Sequence, residues 1–298
     1  MAFTTADMPT RFLKGAFLVG HIPHRVLRCD MRLSYSLYVP PSHYDGTGGS
    51  TIPLQVYIHG TRRDLSPMHS DLEAFADDVG CAVLAPLFPA GVEGPQDLDS
   101  YKLTGESTLR SDQALLAMIE ETEQVWVGIY TKRFFLVAFS GGGQFAHRFL
   151  YLHPERLSAV SIGAPGSVTL LDQQKDWPYG VKDVEICFGR HLSLAAVKLV
   201  AIHLVVGIAD NDFHGGTEFT QWLRDVRAPE QHEAQAKPQI SSVHSQGRVQ
   251  SLRGLDESLK QAAIEVTFKL VGGVAHHGDL VRPAQLRFLK EAMWLKKR

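Results

Sequence analysis

The residue types that together transfer an acyl group stand in this chain at the ends of apolar runs. Ser140 follows Phe134-Phe135-Leu136-Val137-Ala138-Phe139 and precedes Gly141-Gly142-Gly143. A serine hydroxyl is a weak nucleophile unless a strained turn holds it out of the chain beside a base. Small neighbours let the strand before it and the helix after it pass in contact, and Ala138 and Gly142 supply them. The N–H of Gly141, at the start of that helix, is placed to donate to a developing oxyanion. Asp210 ends a later apolar run and His276 follows the last one. A histidine so placed can take the serine proton, and a carboxylate on its other nitrogen fixes the tautomer and steadies the imidazolium. His59-Gly60-Thr61 closes a further run.

These positions need elements to hold them. Residues 12–28 and 31–39 read as two opening strands, with Leu33, Tyr35, Leu37 and Val39 alternating with smaller or polar partners. Strands are predicted over 53–58, 81–89, 134–139, 157–162, 201–208 and 265–271, and helices over 69–79, 111–126, 215–225 and 251–263. After Ser140, Phe145 and Phe149, like Ala146 and Leu150, recur four apart on one helical face, and Pro154 ends the run. A closing helix is predicted from about Pro283, suited to a first turn, to Lys296. Strands alternating with helices predict an α/β fold with a mostly parallel sheet covered on both faces, in which ligands bind beyond the carboxyl ends of the strands. One domain is expected over 1–298, with residues 213–263 a lid or insert between the acid strand and the last strand.

Composition narrows the function classes. Thirty basic residues balance 32 acidic ones over 298 residues, which leaves no electrostatic footprint for nucleic acid. Cys29, Cys81 and Cys187 lie far apart, as free thiols in a reducing compartment do. Arg11 and Lys14 interrupt the apolar part of the opening residues, against a signal peptide, and Lys198 and His203 interrupt the most apolar span, against a membrane crossing. A cytoplasmic location is the expectation, and the composition does not address oligomeric state.

Competing chemistry is weaker. Gly141-x-Gly143-x-x-Ala146 fits a dinucleotide fingerprint, but the next strand ends in Gly163-Ala164-Pro165-Gly166 without the acid that motif needs. No HExxH is present, so neither a metal nor another cofactor is expected. His203 reads as a core histidine, and His147 and His153 as surface residues of the helix after Ser140. Phe88, Trp177, Tyr179 and Trp222 either line a pocket or pack, and Trp177, in a loop at the active end, is read as a substrate contact. Asp212 is a second candidate for the acid, although Asp210 falls nearer the strand end.

The phrases VYIHGTRRD, FSGGGQFAHRFLYLHPERLSAVSIGAPG, LVVGIADND and FKLVGGVAHHG resemble the α/β-hydrolase superfamily, and within it the polyhydroxybutyrate-depolymerase and feruloyl-esterase-like branch. The order serine, acid, histidine agrees with that resemblance. It implies Ser140 as nucleophile, Asp210 as acid and His276 as base. A Gly-Val-x-His phrase puts the base at His276 rather than His277. The second oxyanion donor is expected in the loop after His59-Gly60, at the N–H of Thr61, with Arg62 next in line and a candidate for substrate contact. The implied activity is a serine hydrolase that cleaves an ester, amide or lactone of a small molecule through an acyl-enzyme, without a cofactor. The alternatives are lyase or cyclase chemistry on the same fold, or a non-catalytic ligand-binding protein.

Overall fold

A computed structural model describes residues 3–45, 51–95, 97–105, 108–211 and 247–296. Eight strands form one sheet: β1 (Gly20–Leu27), β2 (Asp30–Val39), β3 (Ile52–Ile58), β4 (Ala82–Leu87), β5 (Ile129–Phe139), β6 (Leu157–Gly163), β7 (Ala201–Gly207) and β8 (Thr267–Val271). Their spatial order is β1-β2-β4-β3-β5-β6-β7-β8. The pairings β1·β2 and β2·β4 are antiparallel, and every other pairing is parallel. The helices used below are α1 (Glu73–Val79), α2 (Ser111–Val125), α3 (Gly141–Leu152), α4 (Arg248–Gln261) and α5 (Gly278–Lys296).

Period-two alternation within the strands builds two separate cores. Leu33, Tyr35 and Leu37 of β2, Leu54 and Val56 of β3, and Phe134 and Leu136 of β5 face one side. There they meet Leu115 and Ile119 of α2, Phe145 and Phe149 of α3, and Leu252, Leu255 and Leu259 of α4. Tyr38, Tyr57, Val83, Phe135 and Val137 face the other side and meet Phe75, Ala76 and Val79 of α1 with Leu289 and Met293 of α5. Both faces of the central strands are thus dry, which is why their sequences read as near-continuous apolar runs.

Several expectations change. The first strand begins at Gly20, not residue 12, and Thr10–Leu13 form a helical turn. Leu13 and Leu18 are both buried, and the Leu18 N–H donates to the Leu13 carbonyl. A spacing of five puts residues on opposite faces of a strand, whereas a turn can bury both. The closing helix begins at Gly278, and Pro283 lies inside it. The Pro283 ring has no N–H to give the carbonyl one turn back, but that carbonyl belongs to exposed Asp279, where water can satisfy it. Of the expected lid, residues 213–246 lie outside the described residues, as do Asp212, Trp222 and the helix predicted over 215–225. The described remainder is α4, whose leucines are in the core, so this part is the crossover between β7 and β8 rather than a cover.

His147 and His153 are fully buried, not on the surface. The His147 Nδ1 lies 2.9 Å from the Gly143 carbonyl, and its Nε2 accepts the Thr169 N–H at 2.9 Å. His153 Nε2 lies 2.8 Å from Asp112 Oδ2, and Arg110 holds both oxygens of the same carboxylate. The loop around Thr169 covers the helix flank that periodicity assigned to solvent. His203 is the core histidine expected, 2.9 Å from Ser161 Oγ and stacked on Phe288.

These buried rings make stability depend on pH. Burial pushes His59 and His203 down to about 4, and His147 well below its ordinary value. Each stays neutral when folded but takes up a proton when unfolded, so its stabilisation is present above about pH 6.5 and is lost as pH falls toward 4. Unfolding free energy is expected to fall by about 1.4 kcal/mol per pH unit for each such histidine at the steepest point. Urea melts at pH 7, 6 and 5 check this, and equal midpoints at the three values would refute it.

Candidate active site

Four strand ends converge on one place. The end of β5 carries Ser140, whose backbone sits at φ 57° and ψ −118°, outside the regions an L-residue ordinarily occupies. The next residue opens α3. The glycines there are required by close approach. A Cβ at Gly142 would lie 2.4 Å from the Ile58 carbonyl oxygen and 2.8 Å from that of His59, and one at Gly143 would lie 2.5 Å from the Gly163 oxygen. Helix α3 therefore starts wedged between the ends of β3 and β6. Gly142→Ala is expected to cost about 1–3 kcal/mol, because backbone on both sides must move. It should also depress turnover by displacing Ser140. Urea unfolding together with kinetics checks both, and an unchanged midpoint would contradict the packing.

His276 reaches Ser140 from the loop after β8. Its Nε2 lies 2.9 Å from Ser140 Oγ, and its Nδ1 lies 2.6 Å from Asp210 Oδ2. The His276 side chain is 29 % exposed and that of Asp210 is 0 % exposed, so the relay runs from an accessible hydroxyl to a buried carboxylate. Gly207 lets the histidine loop cross the end of β7: a Cβ there would lie 2.2 Å from the Val274 oxygen. The Ala209 N–H fixes the crossing by donating to that same carbonyl at 2.9 Å. The Phe139 ring lies 4.8 Å from the His276 ring, centre to centre. The exposed His277 instead continues into α5, its carbonyl accepting from the Val281 N–H at 3.2 Å.

The other oxygen of Asp210, Oδ1, accepts from Arg248 at 3.0 Å. Arg248 is the first residue of α4 and is buried. Nothing in the sequence marks it, because it lies in a polar stretch and finds the acid only through the fold. Removing one partner of a buried ion pair leaves the other charge poorly compensated. Arg248→Met is accordingly expected to cost about 3 kcal/mol of stability while leaving the Ser140–His276 contact in place. A urea midpoint equal to the parent's would count against it.

Thr61, at the end of β3, comes up against Gly141. A Cβ at Gly141 would lie 2.9 Å from the Thr61 backbone nitrogen and 2.8 Å from its Oγ1. As the first helical residue, Gly141 has an N–H without an acceptor inside the helix. Two buried side chains and one unusual backbone hold this loop. His59 accepts the Phe88 N–H on Nε2 and so donates from Nδ1 to the Gly60 carbonyl at 2.8 Å. Tyr101 donates to the His59 carbonyl at 3.1 Å. Arg63, at φ 58°, donates to the carbonyls of Thr61, Phe88, Pro89 and Leu98 and lies over the Tyr101 ring. Sequence reading missed the Arg63 clamp, since nothing in the local pattern shows that one arginine gathers carbonyls from its own loop and from the loop after β4.

The two residues read as substrate contacts differ in placement. Arg62 is exposed, and its charge helps hold the Asp64 carboxyl below its usual range, behind the larger effect of hydrogen bonds from Ser66. Trp177 packs inward rather than against Ser140 or His276. Its indole N–H donates to the Leu103 carbonyl at 2.7 Å, its ring meets Phe188 edge-on, and the Arg148 guanidinium lies 6.0 Å from its centre. Phe88 likewise packs, between Tyr101 and Phe145. Among the described residues, no helix is long and apolar enough to cross a membrane.

No family model and no curated protein matches the sequence. Solved structures do match the fold. A poly(3-hydroxybutyrate) depolymerase, LpqC, from Bordetella parapertussis superposes with a TM-score of 0.64 at 18% identity, covering 98% of this chain and 96% of that one. Poly(aspartic acid) hydrolase-1 from Sphingomonas sp. KT-1 gives 0.61 at 18% identity, over 88% and 93%. An S-formylglutathione hydrolase from Agrobacterium tumefaciens gives 0.56 at 14% identity, over 92% and 98%. With this strand order, these superpositions and a serine at the turn between β5 and α3, the chain has the α/β-hydrolase fold.

Proposed function

We propose that the protein is a serine hydrolase that cleaves an ester-type bond of a small molecule through an acyl-enzyme. The observation that carries this is the continuous relay from Ser140 Oγ through His276 to Asp210, at 2.9 Å and 2.6 Å. In the proposed first half-reaction, Ser140 Oγ attacks the substrate carbonyl carbon while its proton passes to His276 Nε2. Asp210 steadies the resulting imidazolium. The N–H groups of Gly141 and Thr61 bind the oxyanion, where preorganised donors contribute most. Collapse expels the alcohol, which takes its proton from His276. Water then attacks the acyl-serine with His276 again as base, releases the acid and restores the hydroxyl.

An ester fits best because the alcohol leaves more readily than an amine, and the likeness to a poly(3-hydroxybutyrate) depolymerase supports that class. Amide and lactone substrates use the same atoms. Cys29, Cys81 and Cys187 stand outside any disulfide, which suits a reducing compartment, and with it a small intracellular substrate. The accessible Arg62 beside the Thr61 loop is the proposed contact for a polar part of the substrate, while Trp177 supports the wall behind α3.

The test is direct. A fluorophosphonate probe should add to Ser140 alone, as read by peptide mass spectrometry, and a panel of p-nitrophenyl esters run in ¹⁸O-water should give carboxylic acid carrying the label. A modified serine without acyl transfer to water would point to non-hydrolytic chemistry. An unmodified Ser140 would end the proposal.

A further inference from the structure

Apart from Ser140 and His276, three side chains come together, two of them an i,i+4 pair and the third from a distant strand. His21 lies on β1, the edge strand, opposite Tyr38 of β2. His69 lies in a π-helical turn, Met68–Leu72, that runs straight into α1, and Glu73 is the first residue of α1. The Nδ1 atoms of both imidazoles approach the same oxygen: His21 lies 2.9 Å and His69 3.1 Å from Glu73 Oε1. The two rings are 4.2 Å apart, centre to centre. One potential ligand atom from each residue falls within a sphere in which all three are within 4.8 Å of one another.

We propose that His21, His69 and Glu73 form a binding site for a divalent transition ion of the zinc class. Two imidazole nitrogens and one carboxylate oxygen are borderline ligands that suit zinc, nickel or copper and not calcium or magnesium, which require oxygen sets. Ligands about 2.0–2.2 Å from one ion in tetrahedral array are roughly 3.4 Å apart. The two spacings to Glu73 Oε1, 2.9 Å and 3.1 Å, need only sub-ångström adjustment, and the two histidine ligand atoms lie within 4.8 Å of each other. The side chains can make it, because those of His21 and His69 are 31% and 63% exposed and that of Glu73 is 22% exposed. That exposure leaves the remaining coordination positions to water.

Without an ion, one carboxylate oxygen receives two imidazole N–H groups. With one, each ring turns its Nδ1 lone pair to the ion and carries its proton on Nε2, so the ion takes the shared position with both rings neutral. Support behind the ligands is present. The Tyr38 hydroxyl, from the strand that pairs with β1, is held by both oxygens of Asp77, one turn beyond Glu73 on α1. The ion would cross-link the edge strand to the crossover helix between β3 and β4, a structural role separate from Ser140. Absence of HExxH could not reveal it, since His21 and Glu73 are 52 residues apart in sequence.

The chain, stripped with a chelator, is titrated with zinc chloride at pH 7.5 by calorimetry, and with cobalt chloride by visible absorption. One equivalent is expected to bind, with a cobalt d–d band and a rise in Tm of at least about 2 °C at saturation. His21→Ala, His69→Ala and Glu73→Gln should each weaken zinc by at least about 10-fold and remove the band, while His24→Ala and His277→Ala should not. His69 is the most exposed ligand, so His69→Ala keeps the test decisive should His21→Ala disturb β1. Zinc binding unchanged in these three variants, or no binding by the parent chain, overturns the site. The readout is metal affinity, so it stands apart from whether the proposed ester hydrolysis holds.

Discussion

Ser140→Ala is expected to fold like the parent and to lose at least about 10³-fold in kcat/KM on any ester the protein turns over. Alanine keeps the Cβ already accommodated at φ 57°, so it adds no backbone strain. Ser140 Oγ makes its hydrogen bond to His276, and no partner of the core depends on it. Melting temperature should therefore stay within a degree or two, as for substitutions away from packed or paired groups. His276→Ala should match it in severity, because nucleophile and base act as one unit. Steady-state kinetics of the two variants, with thermal melts alongside, decide the matter. Near-normal turnover by Ser140→Ala would remove the nucleophile assignment and with it the acyl-enzyme.

Asp210→Asn should be as damaging, by up to about 10⁴-fold in kcat, for a reason specific to this site. The two carboxylate oxygens face two donors: Arg248 on Oδ1 and His276 Nδ1 on Oδ2. An amide has one acceptor and one donor end. The guanidinium can only donate, so the amide oxygen must turn to Arg248 and the NH₂ must face His276. The ring then carries its proton on Nε2 and has no lone pair for the serine proton. Arg248→Met in the Asp210→Asn background frees the amide to turn over, and part of the lost rate should return. A single variant with more than a tenth of parental kcat, or a double variant slower than the single one, would contradict this account. Exposed His277 has no place in the relay, and His277→Ala should keep the chemistry.

Most of the chemistry was legible before folding because it is local. A serine between an apolar run and three glycines can be read from the ten residues 134–143, since strand, tight turn and helix each leave their own mark in the chain. Asp210 could be chosen over Asp212 by its nearness to the strand end, and His276 over His277 by the Gly-Val-x-His phrase of the resemblance. The alternation of β2 was equally visible, whereas β5 reads as one apolar run because both its faces are buried.

What the chain alone could not show is whatever depends on distant segments arriving at one point. His147 and His153 sit on a flank that periodicity assigns to water, and only the loop near Thr169 and the buried Asp112 turn that flank into interior. Pro283 carries the mark of a first turn, yet α5 starts five residues earlier, because an exposed helix end tolerates the missing N–H. Arg248 on Asp210, the Arg63 clamp on the Thr61 loop, and His21 beside His69 and Glu73 have no signature at all. Sequence by itself determined the fold class and the residue types of the relay, because backbone periods and turn chemistry act over a few residues. The tertiary structure alone decided which polar side chains became buried and which became partners, because burial and pairing depend on surfaces that exist only once the sheet has assembled.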